Sequence, residues 1–464
     1  MLNITVKIPQ ELRTILEAIA ASGGTSYIAG GAVRDSILGL TPKDFDVEVF
    51  GVTVALLNNV LQGFTDYKVS TVGKQFGIFK VTTDTNVYDF SLPRRESKIG
   101  INHTDFLIDV DPQMTFREAC SRRDFTINAM LFNPLTEELI DPFNGLSDLK
   151  GRILGATSDK FKEDPLRVLR GMQLASRFHL KVTKGTSCVC FTLKDQYPTI
   201  SKERVWEEWF KWAVSSIPSI GLSFLEKTQW LDLYPELVAL TNVPQNPEYH
   251  PEGDVWTHTN FVVNAAARVC DRQSIQGEDR AVIVFAALCH DLGKPYCTVT
   301  DSQGKIRSSG HEKDGEAPTR AFLESIGCLE RIIERVVPLV GSHLAHLSCQ
   351  TPSAVRRLAK RLTPATIQEL GWVIEADHSG RPPLPQGVPA QAASMLAIAL
   401  NTNCTFHPVA PLIMGRDLIA LGVKPGKALG ALLAQLQEAQ LDGKFSTWEE
   451  GIRFFKDNLL PLNN

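Results

Sequence analysis

The 464-residue chain has no apolar run approaching the ~20 residues that a membrane-crossing helix requires. Its N-terminus, MLNITVKIPQELRTILEAIAAS, mixes charges of both signs into a helix-like pattern and lacks the basic-then-apolar order of a secretory signal. These two absences point to a cytoplasmic protein with no membrane partner. Cysteine spacing for a metal is missing as well. Of nine cysteines only Cys188 and Cys190 lie close together, and no CxxC occurs, so reduced thiols are expected rather than a thiolate zinc module or a disulfide framework. Internal repeats and low-complexity tracts are absent. A large net charge is absent too: the value of −4 argues, taken alone, against a nucleic-acid partner.

The composition that remains, 43% apolar and 22% charged, is that of an ordinary globular protein, and the length suits roughly two to four domains. The small net charge hides an asymmetry. Between 150 and 211 there are thirteen Lys/Arg against seven Asp/Glu, a surplus of six. Lys181, Lys184 and Lys194 in this stretch are candidate RNA-binding positions; on charge alone a solvated face explains them equally well. Between 26 and 135 short β-rich runs (YIAGG, FDVEVF, FGIFKVTT, VYDFSL, TINAMLF) alternate with helical ones, bounded by Gly, Pro and Asp/Asn. From about 145 the periodicity is helical. DPFNGLSDLKG and NVPQNPEYHPEGD are turn-rich joins, and RPPLPQGVPAQ punctuates before a last helical stretch.

Chemistry concentrates first in GGAVRDSILGLTPKDFDVEVFG, residues 30–51. In a strand, residues i and i+2 share a face, so Asp44 and Asp46 project together while Phe45 and Val47 point into the core. Like charges that close repel unless a cation lies between them, and an all-oxygen donor set with open positions suits Mg²⁺ carrying substrate phosphates. Asp89, in VYDFSL, joins the same face if the strands are neighbours. Gly30 and Gly31 leave backbone N–H groups open to a triphosphate, AVRDSILG opens a helix, and Arg34 adds a forked phosphate donor.

This order of features resembles the polymerase-β-like nucleotidyltransferase superfamily. SRRDFTINAM (121–130), EDPLRVLRGMQLASRF (163–178) and ISKERVWEEW (200–209), with FNGLSDLKG between, are similar to the motifs of bacterial CCA-adding enzymes and their poly(A) polymerase relatives. The resemblance runs from 26 to 215. It implies that Asp44 and Asp46 hold Mg²⁺, that Asp89 is the third catalytic carboxylate where the family usually has Glu, and that Gly31, Arg34, Arg123, Asp124 and Asn128 bind the nucleotide. Asp164 and Arg167, supported by Glu163 and Arg170, would act as an amino-acid template for C or A. A carboxylate accepts from an exocyclic amine and a guanidinium donates to a ring acceptor. The plain alternative is that Asp164, before Pro165, caps the following helix. RRESKIGINHTDFLIDVDPQM (94–114) reads as a mobile loop, which in the family helps the site switch from C to A.

Seven of ten histidines fall between 250 and 378. DVWTHT gives His258, ALCHDLGKP gives His290 and Asp291, and EADHSG gives Asp377. The order H…HD…D resembles the HD phosphohydrolase domain, implying a divalent metal (Ni²⁺, Mg²⁺ or Mn²⁺) that activates water on a helix-borne HD pair. His311, His343 and Lys294 are candidates for a second metal or for phosphate contact; His250, His346 and His378 read as structural. Head, helical middle and HD domain together resemble the bacterial multifunctional CCA-adding enzymes.

The expectation is an α/β head with a small mixed sheet, followed by an all-α neck and body, an α-helical HD domain and a helical tail. The boundaries are 1–25 for an N-terminal helix, 26–145 for the head, 146–241 for the neck and body, 242–385 for the HD domain and 386–464 for the tail. The implied activity is template-free addition of CCA to tRNA 3′ ends from CTP and ATP, with HD action on 2′,3′-cyclic or 2′-phosphates. The sister activities, poly(A) synthesis or addition of only CC or only A, share every head motif. An HD hydrolase with an inactive, RNA-binding head is the alternative of another class. Oligomeric state is left open.

Overall fold

The computed structural model describes residues 6–71, 77–98 and 106–459. The chain folds as two compact units, Met1–Trp212 with Ile220–Leu231, and Ala213–Ser219 with Asp232–Asn464. Among the described residues no helix is long and apolar enough to cross a membrane.

The first unit holds a mixed sheet of seven strands in the order β3-β4-β5-β2-β1-β8-β9. Its strands are β1 (Thr25–Ala29), β2 (Phe45–Phe50), β3 (Lys68–Thr71), β4 (Ile78–Thr82), β5 (Val87–Ser91), β8 (Leu131–Asn133) and β9 (Glu138–Ile140). A separate antiparallel ribbon is made by β6 (Arg94–Lys98) and β7 (Phe106–Val110). The period-2 pattern of FDVEVF produces β2 as expected, with Phe45 and Val47 buried and Asp46 open. The helix Gln10–Ala21 buries Leu12, Ile15, Leu16 and Ile19. The Glu11 carboxylate at its start accepts from Asn86 Nδ2 (2.7 Å) and Tyr88 Oη (2.9 Å), tying it to the β4–β5 hairpin.

Two expectations change. TINAMLF is not one strand: Thr126–Asn128 is a 3₁₀ turn and β8 begins only at Leu131. Buried polar side chains decide this, because Thr126 Oγ1 donates to Asp148 (2.6 Å) and Asn128 Nδ2 to Asp124 (3.0 Å), bonds that a ladder register would break. The 94–114 stretch is not simply loop, since β6 and β7 occupy ten of its twenty-one residues; residues 99–105, part of the stretch expected to be mobile, lie outside the described residues. The helix Leu166–Phe178 belongs to the same unit as the sheet, and its Arg170 and Arg167 bond to Asp124 and to the carbonyl of Arg122.

The second unit is helical apart from a short antiparallel ribbon of Val299–Thr300 with Ile306–Arg307. Val255–Arg272, Gly277–Cys289, Glu330–Val340 and Ile367–Ser379 surround the histidines, and Gly415–Ala420, Lys427–Leu441 and Trp448–Asn458 close on Leu418, Leu436 and Phe455 in the tail.

Candidate active sites

In the first unit, β2 and β5 run parallel with Asp46 directly beside Asp89, which meets the condition for the third acid to join the pair. Asp44 is the residue just before β2, on the same alternation. Crowding decides the electrostatics. Although Asp46 keeps an edge open to water, the protein packed around its carboxyl, then the Asp89 and Asp44 charges, raise it above its ordinary value, with Arg123 opposing them. Asp89 Oδ1 makes no hydrogen bond, its nearest cation being the Lys80 ammonium at 3.7 Å. An all-oxygen set of mutually repelling carboxylates with an orphaned oxygen fits a hard divalent cation.

Ala29 at the end of β1 pairs with Asp46, so the chain that follows, Gly30 and Gly31, starts beside the carboxylates. Gly30 has φ of +71°, and a Cβ there would lie 2.9 Å from Arg123 Nη1. Only glycine allows both the conformation and the close approach of that guanidinium. Arg123 and Arg122 grip the buried carboxylate of Glu48 at 3.0 and 3.2 Å, and these two guanidiniums overcome burial to hold Glu48 below its ordinary value. Glu48 was not singled out from the sequence; the alternation Asp44, Asp46, Glu48 is the signal that was available.

A continuous hydrogen-bond chain joins the other predicted nucleotide residues. Arg34 Nη1 donates to Asn128 Oδ1 (2.6 Å), Asn128 Nδ2 to Asp124 Oδ1 (3.0 Å), and Arg170 Nε to Asp124 Oδ2 (2.8 Å). Burial would raise the Asp124 carboxyl, but Arg170 and Asn128 pull it down to about 2. Arg34 is itself buried, stacks 4.4 Å over the Phe178 ring and commits Nε and Nη2 to Asp35, so less of its fork is open to phosphate than the sequence implied.

Of the two alternatives for Asp164, the structure shows contacts of the capping kind, together with an ion pair. Asp164 Oδ1 accepts from Leu166 N (3.0 Å) in the manner of a cap, while the helix itself begins after Pro165. Asp164 Oδ2 pairs with Arg204 at 2.7 Å, a partner forty residues away that the sequence reading did not supply. Arg167 donates to the carbonyls of Lys160 (2.8 Å) and Arg122 (2.7 Å). Glu163 lies half-buried just before Asp164, while Lys181 and Lys184 are exposed and Lys194 is half-buried.

In the second unit the histidines converge. His258 Nε2 lies 3.1 Å from Asp377 Oδ1 and 3.3 Å from His290 Nε2, which is 3.1 Å from Asp291 Oδ2. On the other side of the same carboxylate, His311 Nε2 lies 3.2 Å from Asp291 Oδ1 and 3.1 Å from His343 Nε2. Asp291 therefore faces two groups at once, with Lys294 Nζ at 2.7 Å from Oδ2. The HD pair is not on a helix as expected. It follows the helix Gly277–Cys289 in a tight turn, where a Cβ on Gly293 would fall 2.0 Å from the His311 carbonyl; that backbone approach presses Asp291 against His311.

The Nδ1 atoms of His290, His311 and His343 each bond a backbone carbonyl, those of Ala287, Ser308 and Val340, so their Nε2 atoms are the ones aimed inward. Neutral rings so held face one another with lone pairs, an arrangement that a cation between them relieves. Burial, with His311 and His290 nearby, drives His343 down to about 3. Burial would also depress His258, yet Asp377 and Glu252 hold it up at about 9. Glu252, which the sequence reading passed over as part of a join, is buried and reaches His258 Nδ1 at 2.7 Å and His250 Nδ1 at 3.0 Å. His250 thus belongs to the support of this site. His346 is buried with Nδ1 on the His343 carbonyl, and His378 is half-buried.

Comparison with known proteins separates the families that share these parts. The Poly A polymerase head domain family matches residues 26–155 and the HD domain family residues 255–370. The Multifunctional CCA protein of Xanthomonas oryzae pv. oryzae is 32% identical over 433 residues, covering 89% of this chain and 97% of that protein. The chain belongs to the multifunctional CCA protein family. Its counterpart in Laribacter hongkongensis is 35% identical over 366 residues, covering 77% of this chain and 85% of its own. Among solved structures, the Bacillus stearothermophilus CCA-adding enzyme in complex with CTP superposes with a TM-score of 0.64 at 17% identity, covering 97% of this chain and 98% of that one. The Thermotoga maritima CCA-adding enzyme complexed with tRNA gives 0.59 at 17%, covering 97% and 96%. At those identities the solved structures establish the shared fold.

Proposed function

We propose that this member of the family adds C, C and A to tRNA 3′ ends from CTP and ATP without a nucleic-acid template. The observation that carries the reading is the row of Asp46 beside Asp89 at the foot of the Gly30 loop. Asp44 and Asp46 would hold Mg²⁺, with Asp89 on the attacking side; the ions would supply charge neutralisation and a more nucleophilic 3′-hydroxyl. The RNA 3′-oxygen bonds to the α-phosphorus as the bond to pyrophosphate breaks. Gly30 and Gly31 admit the phosphates to the backbone, Arg34, Arg123, Asp124 and Asn128 hold the nucleotide, and Glu163, Asp164, Arg167 and Arg170 read the base. For that, Asp164 must trade Arg204, and Arg167 its carbonyls, for the edges of C or A.

In the second unit, His258, His290, Asp291 and Asp377 would hold a divalent metal, and His311 with His343 a second, Asp291 serving both. Of the Ni²⁺, Mg²⁺ and Mn²⁺ expected there, the imidazole-rich donor set favours Ni²⁺. The metal would supply activated water for 2′,3′-cyclic or 2′-phosphate ends, and Lys294, held between Asp291 and Gln245, would exchange Asp291 for the phosphate. Removal of damaged ends and their rebuilding would then belong to one cytoplasmic protein.

The decisive experiment supplies transcripts ending before C, after C and after CC with each nucleotide singly and together. Ordered addition of C, C and A followed by a stop is expected. A long A tail, or arrest after CC, would assign a sister activity instead. RNA passes along Lys181, Lys184 and Lys194 in this reading. Charge reversal at all three should raise the KM for tRNA, flatten its salt dependence and spare nucleotide binding; unchanged tRNA affinity would reject that path.

A further inference from the structure

The open face of the head sheet carries cations beside its acids. Register pairs Ser70 with Lys80, Lys80 with Asp89, Asp89 with Asp46, and Asp46 with Ala29. Directly paired residues share a face about 5 Å apart, so these five form one cross-strand row. The alternation of burial agrees: Phe79, Val81, Tyr88 and Phe90 are buried, while Lys80 and Asp89 stay partly open and Ser70 and Lys68 are exposed.

The row has a direction. At one end Ala29 runs into Gly30 and the nucleotide loop. At the other stand Lys80 and Ser70, with Lys68 two residues before Ser70 and therefore on the same face. In-line transfer puts the attacking and leaving oxygens on opposite sides of the transferred phosphorus. With the triphosphate at the Gly30 end, the RNA hydroxyl has to arrive from the Asp89 end, where Lys80 waits. Lys80 Nζ is 3.7 Å from Asp89 Oδ1, with 44% and 48% of the two side chains exposed. An ion pair that open adds little to stability, so the fold gives no reason for an ammonium at this position.

We propose that this end of the face seats the acceptor RNA: Lys80 binds the phosphodiester next to the RNA's 3′-terminal nucleoside, assisted by the Ser70 hydroxyl, and Lys68 binds the phosphodiester before it. Lys80 is a positioning residue for the 3′-hydroxyl. A compact ammonium on a flexible stem suits a phosphate whose place shifts by one nucleotide at each addition. The inference rests on the reading of the head as an RNA-extending enzyme.

The test compares wild type, Lys80→Ala, Lys80→Arg and Lys68→Ala in steady-state C addition to a transcript ending before CCA, at several salt concentrations, with CTP binding measured separately. Lys80→Ala should lower kcat/KM for tRNA by about tenfold or more, leave CTP affinity within about twofold, and reduce the slope of log kcat/KM against log salt by about one. Lys80→Arg should recover most of the loss, and Lys68→Ala should show a smaller change of the same kind. Unchanged tRNA kinetics in Lys80→Ala would overturn the proposal. So would a lower Mg²⁺ requirement with an unaltered salt slope, which would make Lys80 only a counter-charge for Asp89. If the wild-type protein itself extends no transcript, the functional reading falls and this inference with it; a defect confined to the variants cannot be confused with that result.

Discussion

Asp124 is the side chain on which the hydrogen-bond chain from Arg34 to Arg170 turns, since Arg170, Asn128 and the amide of Phe125 all donate to it. Its native value of about 2 lies below the ordinary 3.8. A depressed carboxylate stabilises the fold at pH values above its unfolded value, and that contribution is lost as pH falls through 3.8 toward about 2. The difference is worth about 2 kcal/mol. Asp124→Asn should therefore cost about that much at neutral pH and flatten the loss of stability between pH 5 and 3, as read by urea midpoints of the two proteins; parallel curves would show that Asp124 is not held this way. Glu252 plays the matching part in the second unit through His258. Glu252→Gln should weaken metal binding by about 10- to 100-fold in a chelator competition, the usual cost of losing a carboxylate behind a ligating histidine. Both residues depend on partners that sequence places out of view: Asp124 on Arg170, 46 positions on, and Glu252 on a histidine reached only when a Pro-rich join folds back.

At the level of elements, periodicity served the strands well and failed where polar side chains bond locally. FDVEVF and VYDFSL became β2 and β5 because their alternate residues, Phe45, Val47, Tyr88 and Phe90, had a core to enter. TINAM looked equally strand-like by composition, yet Thr126 and Asn128 bury hydrogen bonds to Asp148 and Asp124 that force a 3₁₀ turn. That turn is pinned from outside by Gly145, where a Cβ would lie 2.1 Å from the Thr126 carbonyl oxygen. Gly145→Ala should cost about 1–3 kcal/mol and, by displacing the turn that carries Asn128, raise the KM for CTP. Thermal melts and CTP titrations check both; a variant as stable as wild type would mean that the turn yields without consequence.

Across the whole molecule, two constellations with different donor chemistry lie in separate compact units. Their activities should separate. Asp46→Asn should lower nucleotide addition by at least about a hundredfold, since metal-borne charge stabilisation is worth several kcal/mol, and leave metal-dependent hydrolysis of a 2′,3′-cyclic end unchanged. Asp291→Asn should do the reverse. Loss of both activities in either variant would mean that one centre serves both. The sequence alone showed the order of head and HD modules and singled out the acid pair, Asp89 as a candidate third acid and the H…HD…D set, because each rests on motifs whose chemistry needs particular residue types. Only the tertiary structure decided that Asp89 lies beside Asp46, that Asp164 is held by Arg204, that Glu48 and Glu252 anchor cations and histidines, and that Asp291 faces two groups of imidazoles. Those are pairings between distant segments, set by strand register and backbone approach, and chain order carries no record of either.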